Sequence, residues 1–181
     1  MNARSIIGAS SQLISIMEKE RELVEILREP PETVNMDLRS ALTNAASAVT
    51  SSYPAVEVAI ESPDGISITV DHMFHRALEE LVENAVLHND TDHPAIDVSV
   101  SRCCYGIEIK ISDNGPDIPP IERDVLIDKS DRTPLYHGSG LGLSLVRLLT
   151  RRSGGRIDYE KNTPTGNTII LILPESTGSS G

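Results

Sequence analysis

Aromatic residues and cysteines are scarce in this sequence of 181 residues, which has no Trp, one Phe, four Tyr and two Cys. With so few rings, a stacking platform for nucleic-acid bases is not expected, and the core must be aliphatic. Cys103 and Cys104 are adjacent on a predicted strand, so they face opposite sides and lack metal-site spacing. We interpret them as reduced structural thiols.

Long apolar runs and excess positive charge are also absent. No apolar stretch approaches membrane-spanning length, and the N-terminus lacks a signal-peptide core. The net charge of −11 repels phosphate backbones and anionic lipids, so we expect neither nucleic acid nor a membrane surface as a partner of this fragment. Only four basic residues are Lys, which suits a halophilic source or an ordinary acidic protein equally well. We expect a cytoplasmic fragment whose full-length protein could be associated with a membrane.

Residues 3–28 predict one helix that ends at Pro30-Pro31. Its apolar positions follow a coiled-coil-like spacing of threes and fours: Ile6, Leu13, Met17, Val24 and Leu27. Such a helix either packs on its own domain or pairs with a partner chain, and we favour pairing. The predicted parts are an N-terminal dimerisation-type helix over 1–30, a globular domain over 31–175 and a disordered tail over 176–181.

The globular part alternates between helices and paired strands. Helices are predicted at 37–50, 71–88 (with Asp71 as N-cap) and 139–152, and strands at 55–60, 66–70, 95–101, 104–112, 156–160 and 167–173. A loop of about 25 residues precedes the last helix, a length typical of functional lids or disordered segments. Strands that arrive in pairs indicate an antiparallel or mixed sheet. With helices on one face, this is a two-layer α/β sandwich.

Three polar side chains recur at every fourth residue of predicted helix 71–88. Glu80, Asn84 and His88 therefore form a single stripe. Magnesium prefers oxygen ligands and is often held by one protein group plus phosphate oxygens, so Asn84 is a candidate metal ligand. Glu80 is a candidate catalytic residue, because a carboxylate can orient or deprotonate a hydroxyl or water. A solvated helix face is the alternative interpretation.

A carboxylate continues the inward face of predicted strand 104–112. Ile107, Ile109 and Ile111 share that face, and Asp113 has the same parity. A buried carboxylate needs a donor, and the exocyclic amine of adenine is one. Gly115 would let a flat base approach the backbone. The alternative is a turn aspartate that accepts from local backbone amides.

A glycine-rich segment leads into predicted helix 139–152. Its residues are Gly138, Ser139, Gly140, Leu141 and Gly142. Exposed N–H groups and the helix dipole at such a start form an anion cradle suited to a triphosphate. The spacing matches neither a Rossmann fingerprint nor a P-loop.

In this order, these residues resemble the GHKL superfamily of Bergerat-fold ATPases, which includes sensor histidine kinases, gyrase, Hsp90 and MutL. Residues 80–85 (ELVENA) resemble the N box, 113–119 (DNGPDIP) the first glycine box and 138–142 (GSGLG) the second. Residues 165–168 are similar to the final box near the adenine, which implies a nucleotide contact for Thr168. The resemblance implies ATP and Mg²⁺ as cofactors.

Two positions depart from the family pattern. Asp117 stands where the family usually has a second glycine, so its backbone either keeps a negative φ or adopts a left-handed conformation at some cost. Leu87 replaces the usual Lys or Arg of the N box. The missing phosphate contact would then come from Lys129, Arg132 or His137 in the long loop.

The leading hypothesis from the resemblance is the catalytic half of a sensor histidine kinase, which transfers the γ-phosphate of Mg-ATP to a histidine. The partners would be the dimerisation and phosphoacceptor helices of the same kinase in a homodimer, and a response regulator. Helix 3–28 resembles the second dimerisation helix and contains no histidine, so the acceptor lies outside this sequence or on another chain.

Two alternatives stay open. An anti-sigma-type serine kinase would use the same fold to sequester a protein partner, although the N-terminal helix counts against it. A gyrase- or Hsp90-like conformational ATPase is favoured by Glu80, which stands where gyrase-type ATPases carry their catalytic Glu and histidine kinases often have Asn. Against a conformational ATPase, we expect no room for a transducer domain after the last predicted strand.

Overall fold

The structure is a computed structural model that describes residues 17–127 and 141–175. Its helices are α1 (17–28), α2 (Leu38–Ser52), α3 (Phe74–Leu87), α4 (Pro120–Ile127) and α5 (Leu141–Arg152). Its strands are β1 (Thr33–Asp37), β2 (Glu57–Glu61), β3 (Ser67–Asp71), β4 (Ala95–Cys103), β5 (Gly106–Asp113), β6 (Arg156–Lys161) and β7 (Asn167–Leu173). The predicted residues 3–16, the middle of the long loop and the tail lie outside the described residues.

Five strands form a mixed sheet in the order β2-β4-β5-β7-β6. The β2–β4 pair is parallel and the other three pairs are antiparallel. Along β4, buried residues alternate with partly or fully exposed ones, which is the pattern of a sheet with one face covered. The predicted two-layer α/β class with a mixed sheet and helices is confirmed.

The covering layer is built from amphipathic helices whose apolar faces meet the sheet. Phe74, Leu78 and Leu81 of α3 are fully buried or nearly so, and so are Leu145 and Leu149 of α5. These two helices pack on each other, and α3 also packs against β5 of the sheet. The core is aliphatic apart from the single Phe, as composition predicts.

Two elements escaped prediction, and one cap was assigned wrongly. Strand β1 pairs antiparallel with β3 in a separate two-stranded sheet, and α4 lies inside the segment predicted as a loop. Asp71 does not cap α3, which begins at Phe74 with Met73 as N-cap. Instead Asp71 ends β3 fully buried, where its carboxylate pairs with Arg152 Nε at 2.6 Å. A charge buried this deeply needs a cationic partner, which a helix cap would not supply.

The two cysteines are free thiols at the β4–β5 turn rather than core residues. Cys103 ends β4 half-buried, and Cys104 is exposed in the turn. Gly106 follows at a φ of +129°, and a side chain there would collide with the backbone of Leu173. The glycine is therefore required by the close approach of β5 to β7.

Helix α1 packs on the globular part with one face and exposes another. Leu23 and Ile26 are buried, whereas the predicted seam residues Met17, Val24 and Leu27 are 68%, 42% and 53% exposed. Within the described residues, one face of the helix therefore packs on its own chain, and the exposed face could pair with a partner chain. Both interpretations of the helix stay open. No helix in this part of the chain combines the length and apolarity needed to cross a membrane.

Polar contacts fix α1 in place. Arg76 Nε on α3 donates to Glu22 Oε1 at 2.8 Å, and Lys19 Nζ lies 2.8 Å from Glu80 Oε2. At the other end, the Arg152 guanidinium donates to the Ile26 carbonyl. The helix is thus bonded to α3 and α5, the two helices that flank the candidate site.

Candidate functional site

A cavity opens between α3, the ends of β5 and β7, and the loop that follows β5. Its wall combines aliphatic side chains with a few convergent polar groups, which is the usual composition of a small-molecule site. The lining residues are Leu81, Asn84, Ala85, His88, Ile111, Asp113, Pro116, Asp117, Ile118, Pro119, Glu122, Leu143, Asn167 and Ile169.

Asp113 lies in this wall at the end of β5, beyond the buried Ile107, Ile109 and Ile111. Its Oδ1 accepts from the Gly115 amide at 2.8 Å and from Asn167 Nδ2 at 3.0 Å. Burial raises the pKa of this carboxyl, while the two donors oppose that rise. The aspartate therefore faces the interior, as its strand parity predicts, and its own turn also binds it; the adenine contact stays a prediction.

Gly115 does not line the cavity. A Cβ at this position would lie 3.2 Å from Asp113 Oδ1 and 3.3 Å from Asn89 Cα. These are tight contacts, so the glycine serves the packing of the turn and donates its N–H to Asp113. The predicted close approach of a base at Gly115 stays a prediction, and on the Cβ side the space is taken by Asn89 and Asp113.

The polar stripe of α3 is divided between the cavity and the interior. Asn84 and His88 line the cavity, but Glu80 is only 2% exposed and does not line it. Its carboxylate pairs with Lys19 from α1. Burial raises the pKa of Glu80, and the Lys19 ammonium opposes the rise. The alternative of a solvated face does not hold for this residue.

The start of α5 lies directly on Glu80 and Asn84. A Cβ on Gly142 would overlap the Glu80 carboxylate and lie 3.2 Å from Asn84 Nδ2. Leu141 is buried in the core beside it. The remaining residues predicted for the phosphate cradle and its lid lie outside the described residues: Lys129, Arg132, His137, Gly138, Ser139 and Gly140.

Thr168, predicted from the final box, points away from the cavity, and its neighbour Asn167 occupies the wall instead. The Thr168 hydroxyl bonds to Ser112 Oγ and Asn162 Oδ1, both at 2.8 Å. Asn167 is the direct register partner of Asp113 across β5 and β7, so it has the same orientation. Counting register from Asp113 could have identified Asn167, but the strand pairing was not available from sequence.

The two departures from the family pattern have simple consequences. Asp117 keeps a negative φ, so no left-handed strain arises, and its carboxylate pairs with Lys161. It remains part of the cavity wall. Leu87 is half exposed at the end of α3 and lies outside the cavity.

The described residues fit a nucleotide with a divalent ion. Asn84 Nδ2 is buried with no hydrogen-bond partner among the described residues, and as a donor it suits a phosphate oxygen rather than a cation. Its amide oxygen is a ligand type that magnesium accepts. The aliphatic wall of Leu81, Ile111 and Ile169 leads from this end to Asp113, the acceptor at the other.

Comparison with known proteins gives the class. Residues 71–177 match the family described as histidine kinase-, DNA gyrase B-, and HSP90-like ATPase, which covers more than half of the chain. The chain belongs to this ATP-binding family.

Similar proteins with known names narrow the class to sensor histidine kinases. A sensor-type histidine kinase, PrrB of Mycobacterium leprae, is 33% identical over 77% of the chain, and the chain spans 31% of that kinase's length. The solved ATP-binding domain of PrrB from Mycobacterium tuberculosis is 26% identical, with a TM-score of 0.63 over 79% of this chain and 97% of that one. The histidine kinase ThkA, solved with the response regulator TrrA, shares the fold at a TM-score of 0.75 and 17% identity, covering 96% of this chain and 51% of that one. The halophilic source weighed from composition finds no support in these relatives.

Proposed function

We propose that this chain is the catalytic, ATP-binding part of a sensor histidine kinase, which transfers the γ-phosphate of ATP to a histidine outside this sequence. The observation that carries the proposal is a single cavity with an acceptor carboxylate, Asp113, at one end and an incompletely bonded amide, Asn84, below the start of α5 at the other. The similarity to sensor histidine kinases supports this function over the serine kinase and the conformational ATPase.

Each end of the cavity would hold a different part of ATP. Asp113 would accept from the adenine amine, because a carboxylate offers only acceptors. The N–H groups of the glycine-rich segment from Gly138 to Gly142, which leads into α5 in the sequence, would bind the phosphates together with Lys129 and Arg132. Mg²⁺, held by Asn84, would neutralise phosphate charge. His88 would contact the same end, and Gly115 and Thr168 would hold the base pocket from behind.

Glu80 would act as the catalytic carboxylate only in a different arrangement from the one seen here. It is buried, its charge is compensated by Lys19, and it does not line the cavity. For Glu80 to accept a proton or orient a nucleophile, Lys19 must first move away. The docking of α1 would then determine whether this carboxylate is available.

We propose three further features of the kinase, whose curated relative PrrB is about three times as long as the part that this chain matches. The exposed seam of Met17, Val24 and Leu27 would pair with the dimerisation helices of the same kinase in a homodimer. A response regulator would receive the phosphoryl group, which the ThkA–TrrA complex supports by analogy. This part of the protein would work in the cytoplasm, where ATP is available.

The test combines calorimetry with phosphoryl transfer. The chain is titrated with ATP in the presence of Mg²⁺, and radiolabelled ATP is then supplied with a separate fragment that carries the acceptor-histidine helix. We expect ATP binding, weakened at least tenfold in Asp113→Asn because an acceptor becomes partly a donor, and acid-labile label on the fragment. Asp97→Asn removes an exposed carboxylate from β4 and is the matched control. Equal affinity of Asp113→Asn and wild type would contradict the adenine assignment, and label on serine would contradict the kinase class.

A further inference from the structure

One side chain in the cavity wall uses its entire hydrogen-bonding capacity. Asn167 is 3% exposed, and its Oδ1 accepts from the Ile118 amide and from the Tyr159 hydroxyl, both at 3.0 Å. Its Nδ2 donates to Asp113 Oδ1 at 3.0 Å and to the Pro116 carbonyl at 2.8 Å. A carboxamide has two donor hydrogens and two acceptor lone pairs, so no capacity is left over.

This saturation gives the amide one orientation. Rotating it by half a turn would place its carbonyl oxygen against the Asp113 carboxylate and the Pro116 carbonyl, and its amino group against the Ile118 N–H. Each of these pairings joins two acceptors or two donors inside a buried site, where water cannot relieve them. The Asn167 amino group therefore always faces Asp113.

The orientation of the Asn167 amide determines which oxygen of Asp113 can accept a further hydrogen bond. Oδ1 already receives two short hydrogen bonds, from the Gly115 amide and Asn167 Nδ2, whereas Oδ2 lies at a longer distance of 3.3 Å from Asn167 Nδ2. Oδ2 is thus the oxygen with acceptor capacity to spare. Two donors on one carboxylate favour its ionised form, in opposition to burial, which raises the pKa of Asp113.

Tyr159 is connected to Asp113 by hydrogen bonds through the Asn167 side chain. It reaches across from β6, does not line the cavity, and its ring lies 5.6 Å from the Arg123 guanidinium. Its hydroxyl hydrogen bonds to the Asn167 carbonyl and so opposes rotation of the amide. The sheet order places β6 next to β7, which makes this contact possible.

We propose that Tyr159 and Asn167 are a positioning pair that keeps Asp113 an acceptor, so that the cavity selects a 6-amino purine over a 6-oxo purine. This inference rests on the proposed nucleotide site. A 6-amino group donates to Oδ2, whereas a 6-oxo group would set a carbonyl against a carboxylate. Without the Asn167 donor, Asp113 is more easily protonated, and a protonated carboxyl can donate to a 6-oxo group.

The test measures the ratio of affinities for ATP and inosine triphosphate by calorimetry on the whole chain. We expect wild type to favour ATP more than tenfold. Asn167→Ala should lower ATP affinity about tenfold with little change for the inosine nucleotide, and Tyr159→Phe should lower the ratio about threefold in the same direction. Tyr105→Phe, an exposed tyrosine at the β4–β5 turn, should leave the ratio unchanged.

A pH titration separates positioning from simple packing. Asn167→Asp keeps the shape but sets two carboxylates face to face, so ATP binding should be lost near neutral pH and partly recovered in acid, when one carboxyl donates to the other. If wild type fails to bind ATP at all, the proposed function fails and this inference with it. If wild type binds ATP but the variants weaken both nucleotides equally, or lack pH recovery, the positioning role alone is overturned.

Discussion

The ion pair between α1 and the site offers the sharpest test of how the N-terminal helix is held. Lys19 Nζ lies 2.8 Å from Glu80 Oε2, and the Glu80 side chain is 2% exposed against 22% for Lys19. Lys19→Met keeps most of the aliphatic stem but removes the ammonium. The Glu80 carboxylate is then buried without its countercharge.

The expected cost follows from burial. Removing one partner of a buried ion pair costs about 3–5 kcal/mol, and the partial exposure of Lys19 places this case at about 3 kcal/mol. For a chain of this size, that corresponds to a fall in melting temperature of roughly 6–12 °C. If α1 detaches and water reaches Glu80, the loss is limited to the docking free energy of the helix.

The loss should depend on pH. Burial raises the pKa of Glu80, and removing the Lys19 ammonium raises it further. For an acid whose folded pKa lies above its unfolded value, stability is present below the unfolded pKa and is lost as the pH rises through the folded one. The deficit of Lys19→Met should therefore be smallest below the ordinary pKa of a glutamate and should grow as the pH rises above it toward the raised pKa of the folded state.

Thermal and denaturant unfolding of matched variants measure this effect. Arg21→Met breaks the exposed pair with Glu25 on the same helix and should cost about 0.5 kcal/mol or less throughout this pH range. Adding Glu80→Gln to Lys19→Met should recover much of the loss, because the uncompensated charge is gone. Equal effects of Lys19→Met and Arg21→Met, or a deficit independent of pH, would refute the reasoning.

Three further variants test the surroundings of the site. Arg152→Met should lower the free energy of unfolding by about 3 kcal/mol, because the fully buried Asp71 carboxylate loses the Arg152 Nε donor that lies 2.6 Å away. A loss below about 1 kcal/mol in denaturant unfolding would contradict the pairing. Gly142→Ala should destabilise by about 1–3 kcal/mol and weaken ATP binding, since the added methyl overlaps Glu80; unchanged calorimetric affinity would count against the close contact. Asn84→Ala should abolish most of the magnesium dependence of ATP binding, and the same affinity ratio with Mg²⁺ and with chelator would remove the proposed metal role.

Local patterns account for much of the fold and for part of the site. The alternation of Ile107, Ile109 and Ile111 predicted both a strand and the inward direction of Asp113, because side chains on a strand alternate by geometry alone. Glycines before a helix and the N box on an amphipathic helix carry similar local information. Elements with weak patterns were missed: β1 is a largely exposed strand of five residues, and α4 lies in a segment rich in proline.

By itself, the sequence determined the two-layer class, the order of most elements and the side chains that carry the family's boxes, since each depends on spacing within a few residues. Only the tertiary structure decided which of these groups meet. Lys19 lies 61 residues from Glu80, and Tyr159 and Asn167 come from strands whose register with Asp113 is set by the whole sheet. Such partners are decided by burial and by the need to satisfy every enclosed charge and amide, and no short window of sequence records that requirement.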